Sequence, residues 1–355
     1  MRQHVASARA LFARGLAAGF FAAFTFALIG LSTSTAWSEP KDIKWGTGPV
    51  GSSGHKALVV LADVLNKAMP KYRIAVLPTA GAVPTVKGYA MGEFDAFYGS
   101  DISFNEFGQD TGRFKGFKAQ MKRNLVQSFW AYTIDPGLGI RFSDKDKIKK
   151  WDDLTGKRVY TGPLVFDNRL HLERALAALG VKHQYVQVDL STVGSQLASG
   201  ALDAMIIYTS AQSTPAPWLA EASLAVDWMA LNPSAEEKAT LKSKNFTVVD
   251  LPSSVFKRDT HTQTVTVTPL YFGFHLGMDI PADDVYQILK ILEAKAPEMA
   301  KADESFTQVA KDFAGMQKLG VESSIEYVPV HPGLARYMKE KGVWDPKWDS
   351  KIAQK

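Results

Sequence analysis

Apolar and polar positions along the chain follow a repeating order of short strands and amphipathic helices. Ile43-Lys44-Trp45 is a short strand pattern that runs into a glycine-rich stretch, Gly46 to Gly54. Leu58, Leu61, Val64 and Leu65 then recur at helical spacing until Pro70 stops the run. Tyr72 to Leu77 is strand-like, and Thr79-Ala80-Gly81 turns into a second helix carrying Val83, Val86 and Tyr89. Gly92 to Phe97 is a turn feeding a third strand. Strand, helix, strand, helix, strand implies parallel pairing through right-handed crossovers.

The pattern recurs downstream. Thr155 to Tyr160 reads as a turn and strand, Leu170 to Leu179 as an amphipathic helix closed by Gly180, Tyr185 to Val188 as a strand and Ser191 to Leu197 as a helix. Gly200-Ala201-Leu202-Asp203-Ala204 then repeats the Gly-x-x-Asp-Ala turn of Gly92 to Ala96. Two copies of one α/β unit predict two similar lobes. Ala131 to Ile140, with Asp135-Pro136-Gly137 inside it, reads as the crossing between them, and Thr264 to Phe274 as a strand returning to the first. Helices over Asp283 to Leu292, Phe306 to Leu319 and Leu334 to Lys341 cover that lobe. The expected division is a leader over 1–38, a first lobe over 39–136 completed by 226–355, and a second lobe over 137–225.

Charge refines the picture at one end. Lys and Arg number 41 against 36 for Asp and Glu, a formal +5. Arg2, Arg9 and Arg14 precede a charge-free run from Gly15 to Leu31, and small residues follow up to Ala36-Trp37-Ser38. A cationic end, an apolar middle and a small-residue exit predict a secretory signal peptide cleaved after Ser38. The run is also close to the spanning minimum, so an uncleaved anchor is the alternative. Those residues hold three Arg and no acid, which leaves +2 on the remainder. The expectation is an exported, periplasmic protein without a nucleic-acid partner. The absence of cysteine excludes disulfides, thiolate metal sites, cysteine nucleophiles and a lipid-bearing N-terminal cysteine.

Gly46-x-Gly48-x-x-Gly51 has the spacing of a dinucleotide fingerprint, but the second strand ends Leu77-Pro78-Thr79 without the acidic residue that holds a ribose. No Gly-Lys-Ser/Thr closes a P-loop, so no cofactor is expected. What remains is a Gly/Ser loop opening a helix, with N–H groups and hydroxyls suited to a small anion; the alternative is a plain strand-to-helix turn capped by Ser. The seven His show no metal-binding spacing, and Gly-x-Ser-x-Gly does not occur, so neither metal nor catalytic residues are expected. His331-Pro332-Gly333 reads as a structural helix start.

The order of these segments resembles the TAXI family of TRAP-transporter solute receptors over nearly the whole chain after Ser38. Gly48 to His55 with Leu61 to Lys67, Thr79 to Val83, Gly92 to Asp95, Asp153 to Val159, Gly162-Pro163, Thr264 to Val267 and Asp284 to Tyr286 each match. Val328 to Gly342 is the most specific piece. The resemblance implies a two-lobed periplasmic binding protein of type II fold, with a ligand cleft between two α/β lobes. It also implies a glutamate-like, amino-acid or dicarboxylate ligand and transient docking on TRAP permease subunits; by analogy the receptor is a monomer.

The ligand site implied draws on Gly48, Val50, Ser52, Ser53 and His55 of the first loop and Gly81, Ala82 and Val83 of the second. Ser100, Phe166, Asn168, Arg169 and Tyr208 complete it. Ser53 and His55 stand where the family has Thr and Tyr, and Asn168 where it has the Thr of a Gly-Ser-Gly-Thr loop. Leu164 to Asn168 replaces that small loop, with Phe166 adding bulk and Asp167 charge. Arg169 is placed to offset Asp167 or to grip a carboxylate, while Asp167 or Asn168 could equally cap the helix from Leu170. An apolar or aromatic-bearing organic anion is therefore expected rather than glutamate. The competing readings are a receptor of an ABC importer or a periplasmic sensor, and a secreted enzyme, for which no nucleophile–base pair is found.

Overall fold

A computed structural model describes residues 39–354; the expected signal peptide lies outside the described residues. The first part of the chain runs β1 (Lys41–Thr47), α1 (Ser53–Ala68), β2 (Tyr72–Pro78), α2 (Ala82–Met91), β3 (Ala96–Ser100), α3 (Asp101–Gly108) and β4 (Trp130–Arg141). It continues through β5 (Arg158–Tyr160), α4 (Asp167–Ala178), β6 (Gln184–Tyr185), α5 (Val193–Ala198), β7 (Ala204–Ser210), β8 (Thr214–Pro215) and α6 (Trp218–Ala225). The remainder is β9 (Trp228–Leu231), α7 (Ala235–Ser243), β10 (Val249–Pro252), β11 (Thr264–Val267), β12 (Leu270–Leu276), α8 (Ala282–Ala302), α9 (Thr307–Lys311), α10 (Phe313–Ser324) and α11 (Pro332–Glu340).

One mixed sheet carries the order β2-β1-β3-β12-β4-β7-β5-β6. Its two ends repeat each other. β2-β1-β3 is parallel and closed by antiparallel β12; β6-β5-β7 is parallel and closed by antiparallel β4. The Gly-x-x-Asp-Ala repeat has the same task in both. Asp95 Oδ2 accepts from Lys44 N at 2.9 Å and Asp203 Oδ2 accepts from Arg158 N at 2.8 Å, each aspartate fixing the start of its lobe's third strand against its first.

β4 joins the halves. Trp130 to Ile134 pairs with β12, and Ile134 to Ile140 with β7, so the strand changes neighbour at Ile134. Proline is poorly suited to a central strand because it lacks an N–H. Pro136 is tolerated because its carbonyl accepts from Thr268 N at 2.8 Å, on the side β12 has already left. The strand expected over Thr264 to Phe274 is two strands: β11 pairs with β10, and only β12 rejoins the first half. Tyr185 to Val188 contracts to the two residues of β6.

α1 forms because Ser52 caps it, its side chain accepting from His55 N at 3.2 Å, and because Ala57, Leu58, Leu61, Ala62 and Leu65 share the buried face. The largest fully buried side chains include Trp45, Trp130, Trp151 and Trp228, which lie under both halves of the sheet. His275 is buried among Phe97, Phe104 and Trp130, and burial pushes its pKa down to about 3, so it packs as a neutral ring. Among the described residues no helix is long and apolar enough to cross a membrane.

Candidate functional site

The loops after β1, β2 and β5 meet at the C-terminal edges of the parallel strands, where open α/β sheets place their ligands. There they enclose a narrow cleft of about 40 Å³. Gly48, Pro49, Ser52, Ser53 and Gly54 come from the first loop and α1, Gly81 and Ala82 from the second, and Phe166, Asp167 and Asn168 from the start of α4. Tyr98, Ile134, Tyr208 and Phe272 form the walls from β3, β4, β7 and β12.

Three helices begin at this cleft. The leading N–H groups of a helix have no intrahelical acceptor and carry the positive end of its dipole. Ser52 satisfies only one of those on α1, and neither α2 nor α4 has a side-chain cap. No Lys, Arg or His lines the cleft among the described residues. Anion recognition here would come from backbone donors and the Ser53 hydroxyl. Burial pushes the Tyr208 phenol up to about 12 and holds the Tyr98 phenol well above its ordinary value, so both rings stay neutral. Tyr98 stacks on Phe272 with centroids 4.9 Å apart, and its hydroxyl lies 3.0 Å from that of Tyr132.

The two sides of the cleft are tied together. Asp167, on α4, is buried; its Oδ2 accepts from the Ser100 hydroxyl and, at 2.7 Å, from that of Ser103. Its Oδ1 lies 2.6 Å from Arg113 Nη1. Arg113 also reaches buried Glu106 at 2.6 Å, and Arg174 of α4 stands 3.9 Å from the same carboxylate. Burial by itself would lower the Arg113 pKa, but the charges of Asp167 and Glu106 outweigh it and raise it. A second tie runs from Ser210, at the end of β7, whose hydroxyl donates to Ser53 Oγ at 2.9 Å.

Of the residues expected at the site, Gly48, Ser52, Ser53, Gly81, Ala82, Phe166, Asn168 and Tyr208 line the cleft together. Val50 is exposed at its rim; His55 is half-buried beyond the lining; Val83 is buried in the core. Ser100 stands behind Asp167 rather than facing the void. Arg169 turns away, lying 3.6 Å from Glu173 and 4.1 Å above the Tyr185 ring. The helix cap is Phe166, with Asp167 in the first turn, where its charge suits the dipole. His331 is a cap too: Nδ1 accepts from Gly333 N and Nε2 donates to Ile280 O, both at 3.1 Å. Sequence reasoning missed Arg113, Ser103, Tyr98, Ile134 and Phe272. Phe272 lies in the aromatic run Tyr271-Phe272-Gly273-Phe274, the one sequence signal for any of them.

A repeated α/β unit, a shared antiparallel crossing strand and a cleft at the strand ends define a two-lobed α/β fold of the type II binding-protein kind. The chain belongs to the NMT1-like family, whose sequence profile matches residues 45–342. Similar solved structures include the periplasmic aliphatic sulphonate binding protein of Escherichia coli, at 16% identity over 84% of this chain and 79% of that one, with a TM-score of 0.45. Another is the alkanesulfonate-binding protein of Xanthomonas axonopodis pv. citri bound to MOPS, at 14% identity over 86% and 92% of the two chains, with a TM-score of 0.44.

Proposed function

We propose that this chain is an exported solute-binding protein that holds a small organic anion between two lobes and hands it to a membrane transporter. The observation that carries the reading is the convergence of the α1, α2 and α4 N-termini on one cleft walled by Tyr98, Phe166, Tyr208 and Phe272. Backbone donors take the charged end of such a solute, and the rings take its apolar body. Binding is coupled to closure because Ser53, Ser100, Ser103 and Arg113 on one side meet Ser210 and Asp167 on the other, and β4 near Ile134 is the natural hinge. No bond is made or broken. The transporter is proposed to be a TRAP permease, on the order of motifs from Gly48 to His55 through Val328 to Gly342.

Calorimetry of the purified chain against carboxylates, sulfonates and their neutral amides tests the reading. An organic anion should bind while its amide does not. Binding by neutral analogues alone, with no anion bound, would overturn it.

A further inference from the structure

A second cavity opens off the mouth of the cleft. It has a volume of about 340 Å³ and is lined by Val50, Lys56, Leu190, Pro217, Trp218 and Glu221. Pro49, Ser52, Phe166 and Tyr208 line both spaces, so they form a neck between an inner and an outer chamber. The neck is built from rigid parts. Tyr208 is buried on β7, and its ring centroid lies 6.2 Å from that of Trp218 on α6. Phe166 stands at the N-cap of α4.

The outer chamber is unlike a passage for a hydrophilic solute. Its wall is Trp218, Leu190, Pro217 and Val50, and Val50 stands 73% exposed at the rim. The Trp218 indole lies against the Tyr208 phenol, so the two rings form one wall running from the neck into this chamber. Lys56 and Glu221 line this chamber from α1 and α6, and neither joins an ion pair among the described residues. An apolar wall with two charges at its margin suits a chain that leaves the inner cleft and ends in a polar group or in water.

We propose that the ligand is an amphipathic carboxylate longer than an amino acid or a short dicarboxylate. Its carboxylate sits at the three helix N-termini, and its aliphatic or aromatic body passes the neck of Phe166 and Tyr208 to lie against Trp218 and Leu190. This rests on the reading of the inner cleft as a carboxylate site. The test is calorimetry with straight-chain carboxylates from butanoate to octanoate, with glutamate alongside. Each methylene that enters the outer chamber should tighten binding about fourfold, the equivalent of its transfer from water. Trp218→Ala should flatten that dependence, so that octanoate binds no tighter than butanoate. Leu190→Ser, at a half-buried position, gives the same readout should the Trp218 variant fail to fold. Tight binding of butanoate or glutamate with no gain from chain length would overturn the two-chamber inference and leave the carboxylate reading standing. If none of the carboxylates binds, the reading of the inner cleft falls as well.

Discussion

Arg113 and Asp167 meet at 2.6 Å from opposite sides of the cleft. Neither belongs to a motif, yet the pair joins Glu106 in a buried charge cluster beside the site. Removing one partner of such a cluster leaves the others as uncompensated buried charge. Arg113→Met should therefore lower unfolding free energy by about 3–5 kcal/mol, read from urea denaturation. The double variant Arg113→Met/Asp167→Asn should recover part of the loss. Small-angle scattering should show a larger radius of gyration for Arg113→Met without ligand, because the contact spans the cleft. Unchanged denaturation midpoints would show that water already screens the pair.

Two adjacent serines should separate stability from binding. Ser52 Oγ accepts from His55 N and caps α1, whereas Ser53 Oγ accepts from Ser210 and faces the cleft. Ser52→Ala should cost about 1 kcal/mol of stability, the usual worth of a helix cap. Ser53→Ala should weaken ligand binding by roughly 1–3 kcal/mol, since it leaves Ser210 without its acceptor and the ligand without a donor. Thermal denaturation and calorimetry on both variants make the comparison, and equal effects of the two on affinity would contradict it.

The fold was legible where one local rule decided the outcome. Gly-x-x-Asp-Ala marks a turn whose aspartate ties Asp95 to Lys44 and Asp203 to Arg158, and finding it twice was enough to infer a repeated lobe. The loops of the site were legible for the same reason, because Gly and Ser before an apolar helical run specify a strand-to-helix turn. The cross-cleft contacts were not. Arg169 looked like the partner of Asp167 because it is two residues away, but residues two apart on a helix point in nearly opposite directions. Arg113 took that place from the turn Gly112–Phe114, which has no periodicity to read and gains its role only when α3 is brought against α4. Tyr98 and Phe272 were not legible as cleft walls for a related reason. A strand pattern shows that a face is buried, not whether it is buried under helices or under the opposite lobe.

Gly54 should be the least replaceable position of the first loop. A Cβ placed there would stand 2.7 Å from Cζ of the Tyr98 ring. Gly54→Ala must push that ring, which stacks on Phe272 and forms a wall of the cleft. Overpacking of this kind costs about 1–3 kcal/mol, and ligand affinity should fall with stability. Gly51 provides the control. Nothing lies within 4 Å of its added Cβ, and only its φ of +82° resists substitution. Gly51→Ala should lose on the order of 1 kcal/mol of stability and keep its affinity. Retained affinity in Gly54→Ala would mean that Tyr98 does not shape the bound state.

Acid should destabilise the protein in part through His331. Burial pushes its pKa down to about 4, and its two bonds, accepted at Nδ1 from Gly333 N and donated from Nε2 to Ile280 O, require the neutral ring. An unfolded His titrates near 6.5, so below that pH the unfolded chain binds a proton the native state refuses. The contribution of the neutral ring is complete above about pH 6.5 and is lost as pH falls towards 4, with a slope approaching 1.4 kcal/mol per unit. His171 and His275, held down to about 4 and about 3 by burial, act in the same direction, so the wild-type slope sums all three. His331→Asn isolates one of them, because Asn can still cap α11 and cannot titrate. The difference in unfolding free energy between wild type and His331→Asn should favour wild type at pH 7 and shrink steadily by pH 4.5. Urea titrations at half-unit intervals provide the measurement, and a difference that does not change with pH would show that His331 is not the group protonated on unfolding.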